Sequence, residues 1–325
     1  MAQAMEVAVV GLGKIGQYLD AELDSSRYCL THSSAVAQHS AFVLSGGVDP
    51  SEQSRRDFSH RFSAPAFSSL SEAASRARFD GLILCGPTSS NAAIVRQAVD
   101  LKPRWILMEK PMGQSLREAE EITRLCQDSK IFLGVNFIRR SEPGVLKVRD
   151  LLATGRIGGI QKVIVTYSKG LFNNASHFVD LLRFWLGEGS HHQVMGSISQ
   201  SHEGDPEPDF GMHFGGVPSY FVSAKEDQYS VRDLEIIGSR GVIKYLRGGL
   251  KIQVLDIAES KVFKGYKFAE LDGTEIPNQL NRAQFFVMDS IAKSIQEGKS
   301  LSFSGAEALK TMEHLERIKS LCHMH

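Results

Sequence analysis

The fold is indicated by residues 7–17, which read VAVVGLGKIGQ. An apolar run too short for a helix leads directly into glycines spaced G-x-G-x-x-G, and the motif stands at the start of a predicted helix. Gly11 allows a tight turn, Gly13 lets the backbone approach a pyrophosphate, and Gly16 lets the helix lie close to the strand. Backbone amides at the helix start then bind the phosphates. We therefore predict a dinucleotide-binding unit, with a glycine-rich turn that binds no ligand as the alternative.

The first 136 residues alternate short apolar runs with longer amphipathic stretches. Such alternation is typical of strand and helix units around a parallel sheet. The predicted strands are 7–10, 42–48, 82–85, 105–108 and 131–135, with helical spacing over 89–99 and 115–126. This pattern predicts an α/β fold class, with a doubly wound Rossmann domain over residues 1–136.

From residue 137 the pattern changes, because strand-like runs follow one another without helices between them. The runs are 160–167, 220–223, 234–237, 241–245 and 251–255. Helical stretches at 143–152 and 174–186 flank the first run, the other four runs follow, and closing helices are predicted at 282–295 and 305–318. We expect an α+β domain over residues 137–325 for substrate binding and oligomerisation. Its open, mostly antiparallel sheet leaves one face available for a homodimer or homotetramer.

Composition limits the class of partner. The 325 residues contain 37 Lys and Arg against 37 Asp and Glu, so no basic excess attracts nucleic acid or an anionic membrane. A small molecule is the expected partner.

The four cysteines form neither a C-x-x-C pair nor a disulfide framework, which favours a reducing cytoplasm. The tail LCHMH brings His323 and His325 close to Cys322, but we expect a frayed terminus and no metal there.

The acidic residue expected at the end of the second strand is Asp49, in the segment GGVDP. It follows Gly16 at more than the usual ~20 residues, and the stretch 25–39 has the character of inserted helical material. A carboxylate at this position bonds the adenosine ribose hydroxyls and repels a 2′-phosphate, which favours NAD over NADP. Arg55 and Arg56 leave NADP possible, since either could instead reach a phosphate.

Two further motifs end predicted strands, CGPT at 85–88 and MEKP at 108–111. Taken with GLGKIG, VDP, Arg139-Arg140 and the segment SHFVDLLRFWLG, they make the chain resemble the glucose-fructose oxidoreductase and inositol dehydrogenase family, Gfo/Idh/MocA, over nearly its whole length. The resemblance implies an NAD(P)-dependent oxidoreductase. The cofactor-binding residues expected from the loop and from the resemblance are Gly11, Leu12, Gly13, Lys14, Ile15, Gly16, Asp49, Gly86, Pro87, Thr88, Asn91, Glu109 and Lys110.

The resemblance also implies two catalytic residues. Lys110 is expected near the nicotinamide, often with a cis bond to Pro111, where an ammonium can stabilise an alkoxide and pass protons. The alternative is a surface pair between Glu109 and Lys110. His177 corresponds to the family's catalytic histidine, which exchanges the proton of the reacting hydroxyl or carbonyl. Asp180 is available either to orient that ring or to pair with Arg183.

Asn173 departs from the family, in which many sugar dehydrogenases carry aspartate four residues before the histidine. An amide cannot take a proton, although it can still hydrogen-bond a substrate hydroxyl. A second departure is Asn91, where the family usually has histidine. The expected substrate-binding residues are Arg140, Lys169, Asn173 and Asn174.

The phrases VNFIRR and YSKGLFNNASHFVDLLRFWLG most resemble a subgroup associated with bacterial polysaccharide synthesis, which implies a nucleotide-activated sugar. The predicted function is hydride transfer between nicotinamide and a secondary alcohol or ketone of a sugar or nucleotide sugar. Two alternatives stay open: a dinucleotide-sensing regulatory protein without catalysis, and an enzyme that uses tightly bound NAD in an internal redox cycle.

Overall fold

The computed structural model describes residues 3–200 and 204–322, so His323 and His325 of the tail lie outside the described residues. The chain divides into two compact units. The first contains Met1–Ser141 and Asn281–Lys310, and the second contains Glu142–Leu280 and Thr311–His325.

The first unit is a doubly wound Rossmann domain. Its parallel strands are β1 (Met5–Val10), β2 (Phe42–Val48), β3 (Ala66–Phe67), β4 (Gly81–Leu84), β5 (Trp105–Met108) and β6 (Phe132–Val135), in the order β3-β2-β1-β4-β5-β6. Its helices are α1 (His32–Gln38), α2 (Glu52–Phe62), α3 (Leu70–Arg76), α4 (Asn91–Asp100), α5 (Leu116–Asp128) and α8 (Ala283–Glu297). The central strands are buried throughout, as apolar strands covered by helices on both faces should be.

Serine side chains cap the N-termini of several of these helices. The hydroxyl of Ser51 accepts from the amide of Ser54, that of Ser69 from Glu72, and that of Ser115 from Glu118. At α5 the Glu118 carboxylate also accepts from the amide of Gln114 at 2.7 Å. These bonds satisfy amides that the first helical turn leaves without an intrahelical partner, and so they define where the helices begin.

The second unit is an α+β domain. Its helices are α6 (Pro143–Ala153), α7 (Ser176–Leu186) and the later part of α9 (Gly305–Cys322). Its strands are β7 (Ile160–Tyr167), β8 (Gly189–Gln200), β9 (Pro206–Phe214), β10 (Val217–Ser223), β11 (Arg232–Gly238), β12 (Gly241–Leu246), β13 (Lys251–Glu259), β14 (Lys267–Ala269) and β15 (Thr274–Glu275). The sheet has the order β14-β13-β12-β11-β7-β10-β9-β8, with β15 on β13, and is antiparallel except where β10 runs parallel to β7.

One face of this sheet carries the core and the other is open. Val163, Val165, Phe221 and Leu234 point into a cluster that includes Phe178 of α7. The alternate residues on the same strands point outward, since strand side chains alternate between faces. Among them Ile164, Tyr220 and Val222 remain exposed.

The structure corrects several sequence-based expectations. The glycine loop opens only a short π-helical turn, Lys14–Tyr18, and of the stretch 25–39 only α1 is helical. The division at residue 136 and the assignment of both closing helices to the second domain also differ from the structure, since α8 belongs to the first unit. An amphipathic pattern shows that a helix is half buried, but it does not show which sheet it covers.

Candidate functional site

The three glycines of the loop after β1 have different surroundings. Gly11 has a φ of +96°, and a Cβ there would lie 2.7 Å from backbone atoms of both Cys85 and Gly86. A Cβ on Gly16 would lie 2.2 Å from the carbonyl oxygen of Gly11. Gly13 differs, because a Cβ there would meet nothing within 4 Å. The fold itself therefore requires Gly11 and Gly16, whereas Gly13 borders open space.

The acidic strand end is joined to this loop. Asp49 accepts hydrogen bonds from the amide of Leu12 at 2.8 Å and from that of Ser51 at 2.8 Å, one on each carboxylate oxygen. The guanidinium of Arg55 donates to the carbonyls of Asp49 at 2.7 Å and Pro50 at 2.8 Å. Arg56 instead pairs with Glu52 along the exposed surface of α2. Of the two arginines, only Arg55 is tied to the end of β2.

The turn after β4 contains Gly86, Pro87 and Thr88, and α4 begins with Asn91. The Asn91 side chain is buried and donates to the carbonyl of Met112 at 3.2 Å. The Lys110–Pro111 bond is cis, as the resemblance implied. Asn91 thus connects this turn to the segment that carries Lys110.

Glu109 lies in a buried polar cluster that the sequence did not predict. Its Oε1 is 2.7 Å from Nε2 of the fully buried His32 and accepts from Nδ2 of Asn136 at 2.7 Å. Asn136 also donates to Gln284 of α8 at 3.2 Å. The Glu109 carboxylate, which is only partly exposed, is thus engaged by His32 and Asn136 as well as acted on by the charge of Lys110.

The members of this cluster hold each other charged. Burial works against the charge on Glu109, but the bonds from His32 and Asn136 and the charge of Lys110 outweigh it and keep the pKa of that carboxyl below its usual value. Burial also opposes the charge on His32, but Cys85 and Glu109 raise the pKa of the imidazole to about 10. Glu109 therefore favours the charged form of His32, and His32 favours the charged form of Glu109.

The second unit carries the segment with the proposed catalytic histidine. Lys169 and Gly170 both have positive φ, 68° and 92°, and lead into a π-helical turn, Leu171–Ala175, that runs on into α7. Asp205 accepts from the amides of Phe172 and Asn173, both at 2.9 Å. A Cβ on Gly170 would lie 2.1 Å from that carboxylate, so only glycine fits there. These contacts order the backbone immediately before His177.

The side chains of this segment differ in how far they are exposed to solvent. His177 and Asn173 are half-buried, and Lys169 is exposed. Asn174 is buried and its amide donates to the carbonyl of Ser168 at 2.7 Å, which gives it a local structural role.

Two other predicted residues are engaged within their own units. Arg140 is buried and donates to the carbonyl of Ser302 at 2.6 Å, with Glu307 at 3.5 Å, which favours an anchoring role for its guanidinium. Asp180 is also buried, and its Oδ1 accepts from Thr311 at 3.2 Å. Arg183 donates to the same hydroxyl at 2.8 Å. Arg183 is therefore not on an exposed side of α7, and Thr311 links it to Asp180.

The first unit fits a dinucleotide. Gly13 presents backbone without a side chain to open space, as close approach of a pyrophosphate requires. In the described part of the unit, Oδ1 of Asn91 and Oδ1 of Asn136 are buried without a hydrogen-bond partner, so two acceptors remain near the Lys110 segment.

Across residues 3–200 and 204–322 no group of three or more histidine, cysteine or acidic residues is arranged to hold a metal ion. No helix in those ranges is long and apolar enough to cross a membrane.

Comparison with known proteins agrees with this geometry. The model of the GFO_IDH_MocA family, described as "Oxidoreductase family, NAD-binding Rossmann fold", matches residues 5–137. The match covers nearly all of the contiguous part of the first unit and is a similarity of that unit to the family. The first unit is accordingly similar to NAD-binding Rossmann domains, and the glycine loop after β1 lies within the matched residues.

Individual members of the family extend the comparison. Inositol 2-dehydrogenase of Rhizobium meliloti (strain 1021) is 29% identical over 126 residues, 34% of this chain, but the chain spans only 38% of that protein in the match. The scyllo-inositol 2-dehydrogenase (NAD(+)) of Bacillus subtilis (strain 168) is 22% identical over 96% of this chain and 92% of its own length. The crystal structure of the WlbA dehydrogenase from Bordetella pertussis, in complex with NADH and UDP-GlcNAcA, has a TM-score of 0.76 at 17% identity over 99% of this chain and 96% of that one. The last similarity shows that both units share a common fold with that protein.

Proposed function

We propose that the protein catalyses reversible hydride transfer between NAD(H) and a secondary alcohol or ketone of a sugar or nucleotide sugar. One observation carries the proposal. The glycine loop follows β1 and Lys110 follows β5, two strands away in the same parallel sheet, so both stand at its carboxyl edge. Neighbouring strands are ~4.8 Å apart, which puts the two strand ends ~10 Å apart, within the length of one dinucleotide. Ligands of such sheets bind at this edge.

Lys110 and His177 have separate tasks in this proposal. When bound, NAD supplies the nicotinamide that accepts or returns the hydride. The ammonium of Lys110 stabilises negative charge on the substrate oxygen, and His177 takes or returns the hydroxyl proton. Asn173 and Lys169 hold substrate hydroxyls or phosphates as neutral and cationic donors respectively. Arg140 is left out, because its guanidinium is engaged by Ser302 and Glu307.

Two lines support a sugar-like substrate. Two relatives are named as inositol dehydrogenases, and the fold neighbour from Bordetella pertussis was solved with a nucleotide sugar. A polyol ring and a nucleotide sugar share vicinal secondary hydroxyls, which match the amide and ammonium donors of Asn173 and Lys169.

We also propose that the open face of the second sheet joins two copies of the chain. Ile164 and Tyr220 are register partners on β7 and β10, and Val222 lies two residues further along β10. All three are exposed, so they form one contiguous apolar patch rather than scattered apolar residues.

The activity is tested by following NADH absorbance with a panel of inositols, free sugars and UDP- or TDP-linked sugars. NADPH oxidation and reduction serve as the parallel cofactor arm. We expect turnover with at least one member of the panel, and loss of turnover when Gly13 is changed to Val. Normal NAD binding with no transfer to or from any panel member, in either direction, would contradict the proposal and favour a sensor.

A further inference from the structure

His32 is a buried titratable residue to which the proposed reaction gives no task. It is the first residue of α1, and Thr31 caps this helix by accepting from the amide of Ser34 at 3.3 Å. Asp20 fixes the preceding segment by accepting from the amides of Leu30 at 2.8 Å and Thr31 at 3.0 Å. The inserted segment is thus ordered in a way that delivers one imidazole into the interior of the unit.

The imidazole meets the residue next to Lys110. His32 Nε2 lies 2.7 Å from Glu109 Oε1, and the two residues are 77 positions apart in the chain. Glu109 precedes Lys110 directly, and the charge of Lys110 acts on its carboxylate. Cys85 and Glu109 act on His32 directly. The neighbouring segments also carry Asp20, Lys14 and Tyr18 before α1, Glu6 on β1, and Asp289, Lys293 and Glu297 on α8.

We infer that His32 is a positioning residue for Lys110, acting through Glu109, an inference that rests on the proposed function of Lys110. A carboxylate beside an ammonium stabilises the charged form and makes the lysine a weaker acid. The imidazolium of His32 cancels that carboxylate charge and fixes its orientation. The lysine is then a stronger acid than it would be beside Glu109 alone, so its ammonium donates a stronger hydrogen bond to the substrate oxygen that it is proposed to stabilise.

The charge states agree with this role. Burial alone would favour a neutral histidine, yet the surroundings raise the pKa of His32 to about 10. The pKa of the Glu109 carboxyl is lowered, because hydrogen bonds and charge outweigh its burial. A histidine that only filled space would need no ionised partner, and an ion pair in this position changes the field that Lys110 experiences.

The test measures Lys110 itself, apart from turnover. His32→Gln keeps a side-chain donor but removes the positive charge, and Glu109→Gln removes the negative charge. The matched control is His39→Gln, which alters the other histidine flanking α1, 3.7 Å from Asp289. For each folded variant, the pH dependence of acetic anhydride labelling at Lys110 is followed by mass spectrometry, and the pH profile of kcat is recorded where turnover is found.

We expect the labelling midpoint of Lys110 to rise by about one pH unit in His32→Gln and to fall in Glu109→Gln, since the two changes remove opposite charges. His39→Gln should leave it unchanged, and NAD affinity should stay within about threefold in His32→Gln and in His39→Gln. An unchanged midpoint in folded His32→Gln would overturn the inference and leave His32 a purely structural residue. If His32→Gln does not fold, the 15N NMR shifts of His32 in the wild-type protein test the inference instead. A neutral imidazole ring at pH 7.5 would also overturn the inference. A wild-type protein without turnover would defeat the proposed function, while the labelling would still report on His32.

Discussion

The amide of Leu12 donates a 2.8 Å hydrogen bond to Oδ2 of Asp49, which joins the glycine loop to the acidic end of β2. The other carboxylate oxygen of Asp49 accepts from the amide of Ser51 at 2.8 Å. Both oxygens are therefore oriented by backbone groups within the unit, and each keeps a lone pair for a further donor. The glycine loop and the Asp49 carboxylate therefore form one preorganised element, as the proposed NAD site requires.

We predict from this arrangement that the protein prefers NAD to NADP. A 2′-phosphate would approach a fixed carboxylate, whereas ribose hydroxyls can donate to it. Calorimetric titration of wild type and Asp49→Asn with both cofactors measures the preference. The variant should lose about tenfold or more in NAD affinity relative to NADP, since bonds to charged groups contribute about 1.5–3 kcal/mol. Tighter NADP binding by wild type would show that Arg55, which bonds the carbonyl of Asp49, has overridden the carboxylate.

The glycines of the loop should separate cofactor binding from folding. Gly13→Val adds a side chain in open space, so the free energy of unfolding should change by less than about 0.5 kcal/mol. NAD binding should be lost, because the same space is needed by the pyrophosphate. Gly16→Ala is the contrasting variant, since its Cβ would lie 2.2 Å from the carbonyl oxygen of Gly11, and it should lower stability by about 1–3 kcal/mol. Urea unfolding and calorimetry check both, and retained NAD affinity in Gly13→Val would contradict the assigned role of Gly13.

A pH-dependent contribution to stability is expected in the second unit. Glu188 accepts from Arg183 at 2.8 Å and from His314 at 2.7 Å. The bond from Arg183, followed by that from His314, outweighs burial and holds the pKa of the Glu188 carboxyl well below its usual value. Because the pKa of Glu188 is lower in the folded protein than in the unfolded chain, its ionised contacts contribute fully to the free energy of unfolding above about pH 5. This contribution is lost as the pH falls further.

Glu188→Gln should therefore destabilise the protein by about 1 kcal/mol at pH 7, a modest value because half of the carboxylate is exposed and screened. The difference from wild type should shrink when urea unfolding is repeated at pH 3. Glu259→Gln is the control, since that exposed carboxylate is 4.0 Å from Lys267 and should contribute nothing measurable. Equal destabilisation by Glu188→Gln at both pH values would mean that the contact acts by packing rather than by charge.

The proposed interface predicts a change in oligomeric state. Tyr220→Lys puts a charge in the centre of the exposed patch formed with Ile164 and Val222, and should convert an oligomer to smaller species. Val43→Lys is the control, because Val43 on β2 is similarly exposed but lies in the first unit. Light scattering coupled to size exclusion measures both. If Tyr220→Lys has the same oligomeric state as wild type, this face of the sheet is not the interface between subunits. If the wild-type protein is a monomer, the proposal that two copies associate is wrong.

The Rossmann domain could be predicted from sequence because its signals are local. Glycine spacing, short apolar runs and serine caps each act within a few residues, and β1, β2, β4, β5 and β6 were expected close to where they lie. The strands β8 and β9 were not predicted. They contain Gly189, Pro206, Pro208 and Gly211, residues of low strand propensity, so their pairing depends on the neighbouring strands.

The candidate site was predictable only in part, for a similar reason. Lys110 and Glu109 end a strand and belong to a motif, so the sequence indicates them. The cluster of His32, Asn136 and Gln284 around Glu109 joins residues from α1, the end of β6 and α8. No local spacing indicates such a contact, and its members become recognisable only once the sheet order brings them together.

The central claim is that Lys110 and His177 perform chemistry on a substrate and do not merely help to bind a dinucleotide. The most direct measurement compares wild type, Lys110→Met and His177→Ala for NAD affinity by calorimetry and for turnover with the best substrate of the panel. We predict that His177→Ala keeps NAD affinity within a few fold of wild type and slows turnover by ~10²-fold or more, the usual contribution of a positioned acid or base. Lys110→Met should slow turnover similarly, with some loss of cofactor affinity. Turnover in both variants equal to that of wild type, with NAD bound normally by all three proteins, would contradict the account.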